Sequence, residues 1–101
     1  MSKTKEEVEI DNKTILINFI KNNGLTFGDG RRNYDFTIIS GYALYLDIDE
    51  VEEVEEAIEE FLSLPLSADD SAELYRVFEY AYDNNYGTWW TNPSNTKGYK
   101  M

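Results

Sequence analysis

The sequence predicts a small α+β domain running roughly αββαα, with a short β-hairpin or bent strand between a first helix and two C-terminal helices. Three observations lead there. At 101 residues the chain is long enough for one hydrophobic core and no more. Its content of 42% hydrophobic and 15% aromatic residues is too apolar for a disordered acidic tail, so 1–101 is expected to fold as a single domain. Apolar residues recur at helical spacing in three stretches and at alternate positions in a fourth.

The first helix is predicted over Asn12 to Asn23, where Ile15, Leu16, Phe19 and Ile20 share one face. Asp11 or Asn12 can cap its start, and Gly24 stands where a left-handed residue ends a helix. The alternation Ile15, Ile17, Phe19 also suits a strand, but helix is favoured. Phe27-Gly28-Asp29-Gly30-Arg31 reads as a turn, with its two glycines supplying positive φ. From Tyr34 to Asp47 the aromatic and β-branched residues Tyr34, Phe36, Ile38, Tyr42, Leu44 and Leu46 predict two strands, or one strand bent at Gly41.

Asp49 to Leu62 carries an apolar stripe of Val51, Val54, Ile58, Phe61 and Leu62 and predicts a helix that Leu64-Pro65 stops. Asp49 with Glu52 makes an acidic capping pair at its start. A last helix runs from Ala68 or Asp69 to Asn84 with Leu74, Val77, Phe78 and Ala81 inward, and Asp69 and Asp70 read as its N-cap and neighbour. Tyr86, Trp89 and Trp90 then pack back on the domain or serve as a contact. About 94–101 is a tail that moves unless something pins it.

Charge is the most informative feature. Twenty acids against nine bases give a net charge of -11, which excludes direct nucleic-acid binding and docking on anionic lipid, since both need a basic footprint. The chain has no Cys and no His, so thiol chemistry, zinc-thiolate sites and the usual general base are missing. The first residues turn acidic where a signal peptide needs an apolar stretch, and no apolar run approaches the roughly 20 residues that span a bilayer. A soluble, cytoplasmic, non-enzymatic protein is expected.

The charge is also segregated. Residues 1–46 hold six acids and six bases, residues 47–83 hold fourteen acids and one base, Arg76, and residues 84–101 hold two bases and no acid. Asp49, Glu50, Glu52, Glu53, Glu55, Glu56, Glu59 and Glu60 place eight carboxylates along about 18 Å of helix axis. One charge per roughly 2.3 Å approaches the one per roughly 1.7 Å of duplex DNA. The like-charged i,i+4 pairs Glu52/Glu56, Glu55/Glu59 and Glu56/Glu60 each cost about 0.2–0.5 kcal/mol, and no base lies between them. The bland alternative is a solvated face in an acidic protein, although a helix selected only for solubility usually mixes signs; the concentration of charge between neutral and basic flanks favours a functional surface. Tyr75, Tyr80, Tyr82 and Tyr86 accompany Glu73, Glu79 and Asp83, a combination that suits arginine, stacked on rings and paired with acids.

Other motifs fail. Asp47-Ile48-Asp49-Glu50-Val51-Glu52 begins like a calcium loop, but Val51 replaces a ligand and Glu52 the required glycine. Gly28-Asp29-Gly30 lacks the pattern of a phosphate loop. No cofactor or metal is expected.

In size, lack of Cys, net charge, isolated aromatics and the acidic stretch Glu50-Val51-Glu52-Glu53-Val54-Glu55-Glu56, the chain resembles the small acidic inhibitors of phages and mobile elements: anti-CRISPR proteins, antirestriction proteins and uracil-DNA glycosylase inhibitors. The resemblance covers composition and residues 47–83. These families share no common fold, so it carries over no binding residue. It implies a nucleic-acid mimic that binds stoichiometrically to the basic groove of a DNA- or RNA-handling protein, first a CRISPR effector, then a restriction or repair enzyme, in a bacterial host cytoplasm. The residues expected to meet that partner are the eight acids of the first acidic helix together with Asp69, Asp70, Glu73, Glu79, Tyr82, Asp83, Tyr86, Trp89 and Trp90. The alternative is a small adaptor or regulator that binds a host protein through its aromatic C-terminal segment and a β-edge.

Overall fold

Helical spacing in the sequence becomes helix over about two thirds of the described residues. In a computed structural model, which describes residues 11–100, four α-helices are followed by a 3₁₀ helix: α1 Asn12–Asn23, α2 Arg32–Tyr45, α3 Val51–Leu62, α4 Ala68–Asp83 and the 3₁₀ turn Tyr86–Thr91. Among the described residues there is no strand. The predicted α+β class is therefore corrected to all-helical, because the segment assigned to a hairpin or bent strand is α2.

The reason lies in how α2 is surrounded. It packs chiefly against α4 on one side and the 3₁₀ turn on another, while α1 pairs with α3. Phe36, Ile39 and Ala43 are buried, and so are Asp35, Ser40, Gly41 and Tyr42, so most of the circumference is covered. A helix covered on several sides loses its polar face, and the 3.6-residue period blurs into a run that imitates alternation. Two strands alone would also leave backbone groups unpaired and be marginal in water, whereas a helix satisfies them internally.

The other helices follow their local signals. Asp11 Oδ1 accepts the Thr14 N–H at 2.8 Å and caps α1, which Gly24 ends at φ +67°. Ser67, not Asp69 or Asp70, caps α4, its Oγ accepting the Asp70 N–H at 3.1 Å. The two aspartates instead occupy the first turn, where the helix dipole favours them. The expected Asp49–Glu52 capping pair does not form: α3 starts at Val51, Glu50 is its cap residue, and no side chain caps it. Ser63 ends α3 at φ +63°.

Phe19 stacks on Tyr42 at 3.9 Å between ring centroids, and Trp90 meets both edge-on at 5.5 and 5.3 Å. The 3₁₀ turn is thus locked to the core. Asp35, fully buried, accepts the Thr26 and Phe27 N–H groups at 3.2 and 3.0 Å and the Arg31 guanidinium at 3.2 Å. Those bonds hold the 25–31 loop on the start of α2. In that loop Gly30 takes positive φ as expected, but Phe27 takes the second such position, not Gly28.

Candidate partner-binding surface

Helix α3 divides its carboxylates between two uses. On its α1 side Glu53 accepts the Asn12 amide at 2.9 Å and Glu60 pairs with Lys13 at 2.8 Å. The Glu60 contact raises the Lys13 pKa. On its α4 side Glu55 accepts the Ser71 and Tyr75 hydroxyls, and Glu59 accepts the Leu66 N–H at 2.9 Å, fastening the α3–α4 turn. Burial and the nearby Glu55 carboxylate push the Tyr75 phenol up. Asp49, Glu50, Glu52 and Glu56 have no hydrogen-bond or ion-pair partner among the described residues.

Helix α4 repeats the division along its length. Near its start Asp70 pairs with Arg32 at 3.3 Å and Glu73 accepts the Asn33 amide at 3.0 Å. Asp69 stays exposed. In its last two turns Glu79, Tyr82 and Asp83 are exposed and unpartnered among the described residues.

All members of these two unpartnered sets but Glu56 meet. The start of α3 and the end of α4 border an open groove of about 780 Å³, with Asp49, Glu50 and Glu52 on one lip and Glu79, Tyr82 and Asp83 on the other. Val51, Tyr75 and Phe78 complete it. The groove gathers six of the expected partner residues. Glu53, Glu55, Glu59 and Glu60 are engaged within the fold, and Asp69, Asp70 and Glu73 sit at the other end of α4. Tyr86, Trp89 and Trp90 belong to a different cavity, with Trp90 only 4% exposed.

Electrostatically the two lips differ. The N-terminus of α3 carries partial positive charge that steadies Asp49, Glu50 and Glu52. Asp83 lies in the last turn of α4, where the dipole adds about 0.3–1 kcal/mol to its repulsion, and no base occupies that turn; Glu79 immediately precedes it. Neither charge has a hydrogen-bond or ion-pair partner among the described residues.

Sequence reading missed Tyr34, Ile38, Gly41 and Tyr99, which line the second cavity. Tyr34, Thr37, Ile38 and Gly41 stand at i, i+3, i+4 and i+7, one helix face. The spacing was present in the sequence and was hidden by the strand assignment.

Among the described residues no group of three acids is placed to hold a metal ion, and no helix is long and apolar enough to cross a membrane. No protein-family model, curated protein or solved structure matches the chain.

Proposed function

We propose that this protein is a non-enzymatic inhibitor that presents a nucleic-acid-like surface of carboxylates to the basic groove of a DNA- or RNA-handling protein, first a CRISPR effector. One observation carries the reading: Asp49, Glu50, Glu52, Glu79 and Asp83 converge on one groove with no base among them, Asp83 also against a helix dipole. Self-repulsion without an internal partner lowers stability, and a cationic partner relieves it. Tyr82 and Tyr75 beside those acids add ring faces on which arginine stacks. An RNA-guided nuclease holds its heteroduplex in a positively charged channel read through backbone charge, so an acidic surface can compete there.

The adaptor reading loses its β-edge, because the described residues contain no strand. Its aromatic segment is largely folded onto α2, leaving Trp89 exposed. Truncation after Gly87 would remove the core residue Trp90 and so cannot separate the two readings. Trp89→Ala does, once the mimic surface is narrowed to the acidic groove, which Trp89 does not line: the adaptor reading expects lost binding and the groove reading retained binding.

Titration of the protein into cleavage assays of CRISPR nucleases and restriction enzymes tests the proposal. Inhibition complete near equimolar protein supports it, and unchanged cleavage across the panel at a large excess removes it.

A further inference from the structure

Away from the acidic groove, aromatic side chains line a half-open cavity of about 330 Å³. Tyr34 and Gly41 of α2 form one side, Tyr86, Trp89 and Trp90 of the 3₁₀ turn another, and Tyr99 of the tail closes it. The ring planes of Trp89, Trp90 and Tyr99 stand at 75°, 63° and 79° to one another, with centroids 5.0, 5.0 and 6.0 Å apart. All three line the cavity, each ring steeply inclined to the other two.

The walls are held from behind. Trp90 is clamped against Phe19 and Tyr42, and its Nε1 lies 3.0 Å from where a Gly41 Cβ would be, so any larger residue there would displace the indole. The Tyr99 hydroxyl meets that of Tyr34 at 3.2 Å. Trp89 and Tyr34 remain 41% and 54% exposed at the rim, although more burial would stabilise both.

We propose that this cavity binds an N-methylated ammonium group, of the kind carried by choline-type small molecules or by a methylated lysine. Ring faces carry negative quadrupole and attract a cation within about 6 Å of the centroid. Steeply inclined walls fit a compact tetrahedral group, whereas a flat ring wants parallel faces. No carboxylate lines the cavity. A primary ammonium, which must exchange three strong hydrogen bonds with water, is poorly compensated there, while a methylated one has little hydration to lose. Arg31, whose guanidinium lies 5.5 Å from the Tyr34 ring, is balanced by Asp35 at 3.2 Å, and the net charge of -11 draws cations to the molecule.

The test follows the indole N–H signals of the full chain by nitrogen-edited NMR. Ligands are choline, its neutral tert-butyl isostere, and two peptides differing only in lysine or trimethyllysine. Choline is expected to shift the Trp89 and Trp90 signals saturably, with the isostere weaker by at least about tenfold and the lysine peptide weaker than the trimethyllysine peptide by a similar factor. A trimethyllysine peptide that binds far more tightly than choline assigns the ligand to a protein, and equal affinities assign it to a free molecule. Trp89→Ala, at an exposed rim position, lowers choline affinity with the fold retained, and Tyr34→Leu does the same from the opposite rim. Equal shifts from choline and the isostere, no saturable shift at millimolar choline, or full affinity in both variants overturns the proposal.

Discussion

Asn23 and Lys100 exchange two hydrogen bonds across 77 residues of chain: the Asn23 amide donates to the Lys100 carbonyl at 2.8 Å, and the Lys100 N–H donates to Asn23 Oδ1 at 2.8 Å. The pair fastens the tail to the end of α1 and sets Tyr99 against Trp90. Asn23→Ala removes both bonds and is expected to lower stability by about 1–2 kcal/mol. Hydrogen exchange of the Lys100 amide then accelerates while amides of α3 stay protected. Unchanged exchange at Lys100 would refute the clamp.

Gly87 is a second fastening. A Cβ there would meet the Leu44 carbonyl carbon and the Tyr45 nitrogen at 3.0 Å, and backbone cannot yield as a flexible side chain can. Gly87→Ala should therefore destabilise by about 1–3 kcal/mol, read as a fall in denaturation midpoint. Gly24→Ala meets no neighbour, but its φ of +67° makes the change unfavourable through strain alone.

Ser63 holds the left-handed position that glycine usually fills at a helix end. Ser63→Gly removes about 1 kcal/mol of strain, and the greater freedom of glycine in the unfolded chain returns part of it. A net gain of about 0.5 kcal/mol is expected, seen as a rise in Tm of roughly 2–4 °C.

Burial, with the Tyr34 hydrogen bond second, pushes the Tyr99 phenol up to about 12. An acid whose folded pKa exceeds its unfolded value of about 10 stabilises the fold in its neutral form. That contribution is whole below pH 10 and is lost as pH rises through 12. Melting curves across this window should show a steeper loss for the native chain than for Tyr99→Phe. Parallel losses would mean that Tyr99 ionises equally in both states.

Three of the four described α-helices were legible in the sequence because each keeps one polar face. Leu16, Phe19 and Ile20 of α1, Val54 and Ile58 of α3, and Leu74 and Phe78 of α4 mark stripes that burial follows. Helix α2 was not legible, since α4 and the 3₁₀ turn cover it from two directions and its aromatic and β-branched residues favour strand locally. Tertiary packing overrode that preference. For the acidic surface, the sequence marked where carboxylates concentrate but not which ones the fold uses. That division depends on Asn12, Lys13, Ser71 and Leu66 arriving from other elements, so only the folded chain separates Glu60 from Glu56.

The most direct measurement compares two charge-removing variants in a cleavage-inhibition titration and in thermal melts. One changes the groove residues Glu50→Gln, Glu52→Gln, Glu79→Gln and Asp83→Asn. The other changes the internally engaged Glu53→Gln and Glu60→Gln. In the first set the two favourable dipole terms lost at α3 are offset by the unfavourable one at Asp83 together with relief of repulsion among the four charges, so Tm should hold or rise while inhibition weakens, mainly through slower association and less steeply with salt. In the second set Tm should fall, as the Asn12 and Lys13 contacts weaken, while inhibition is largely kept. The reverse pattern, in which the groove variant melts lower yet inhibits fully, would show that those carboxylates serve the fold and would contradict the mimic account.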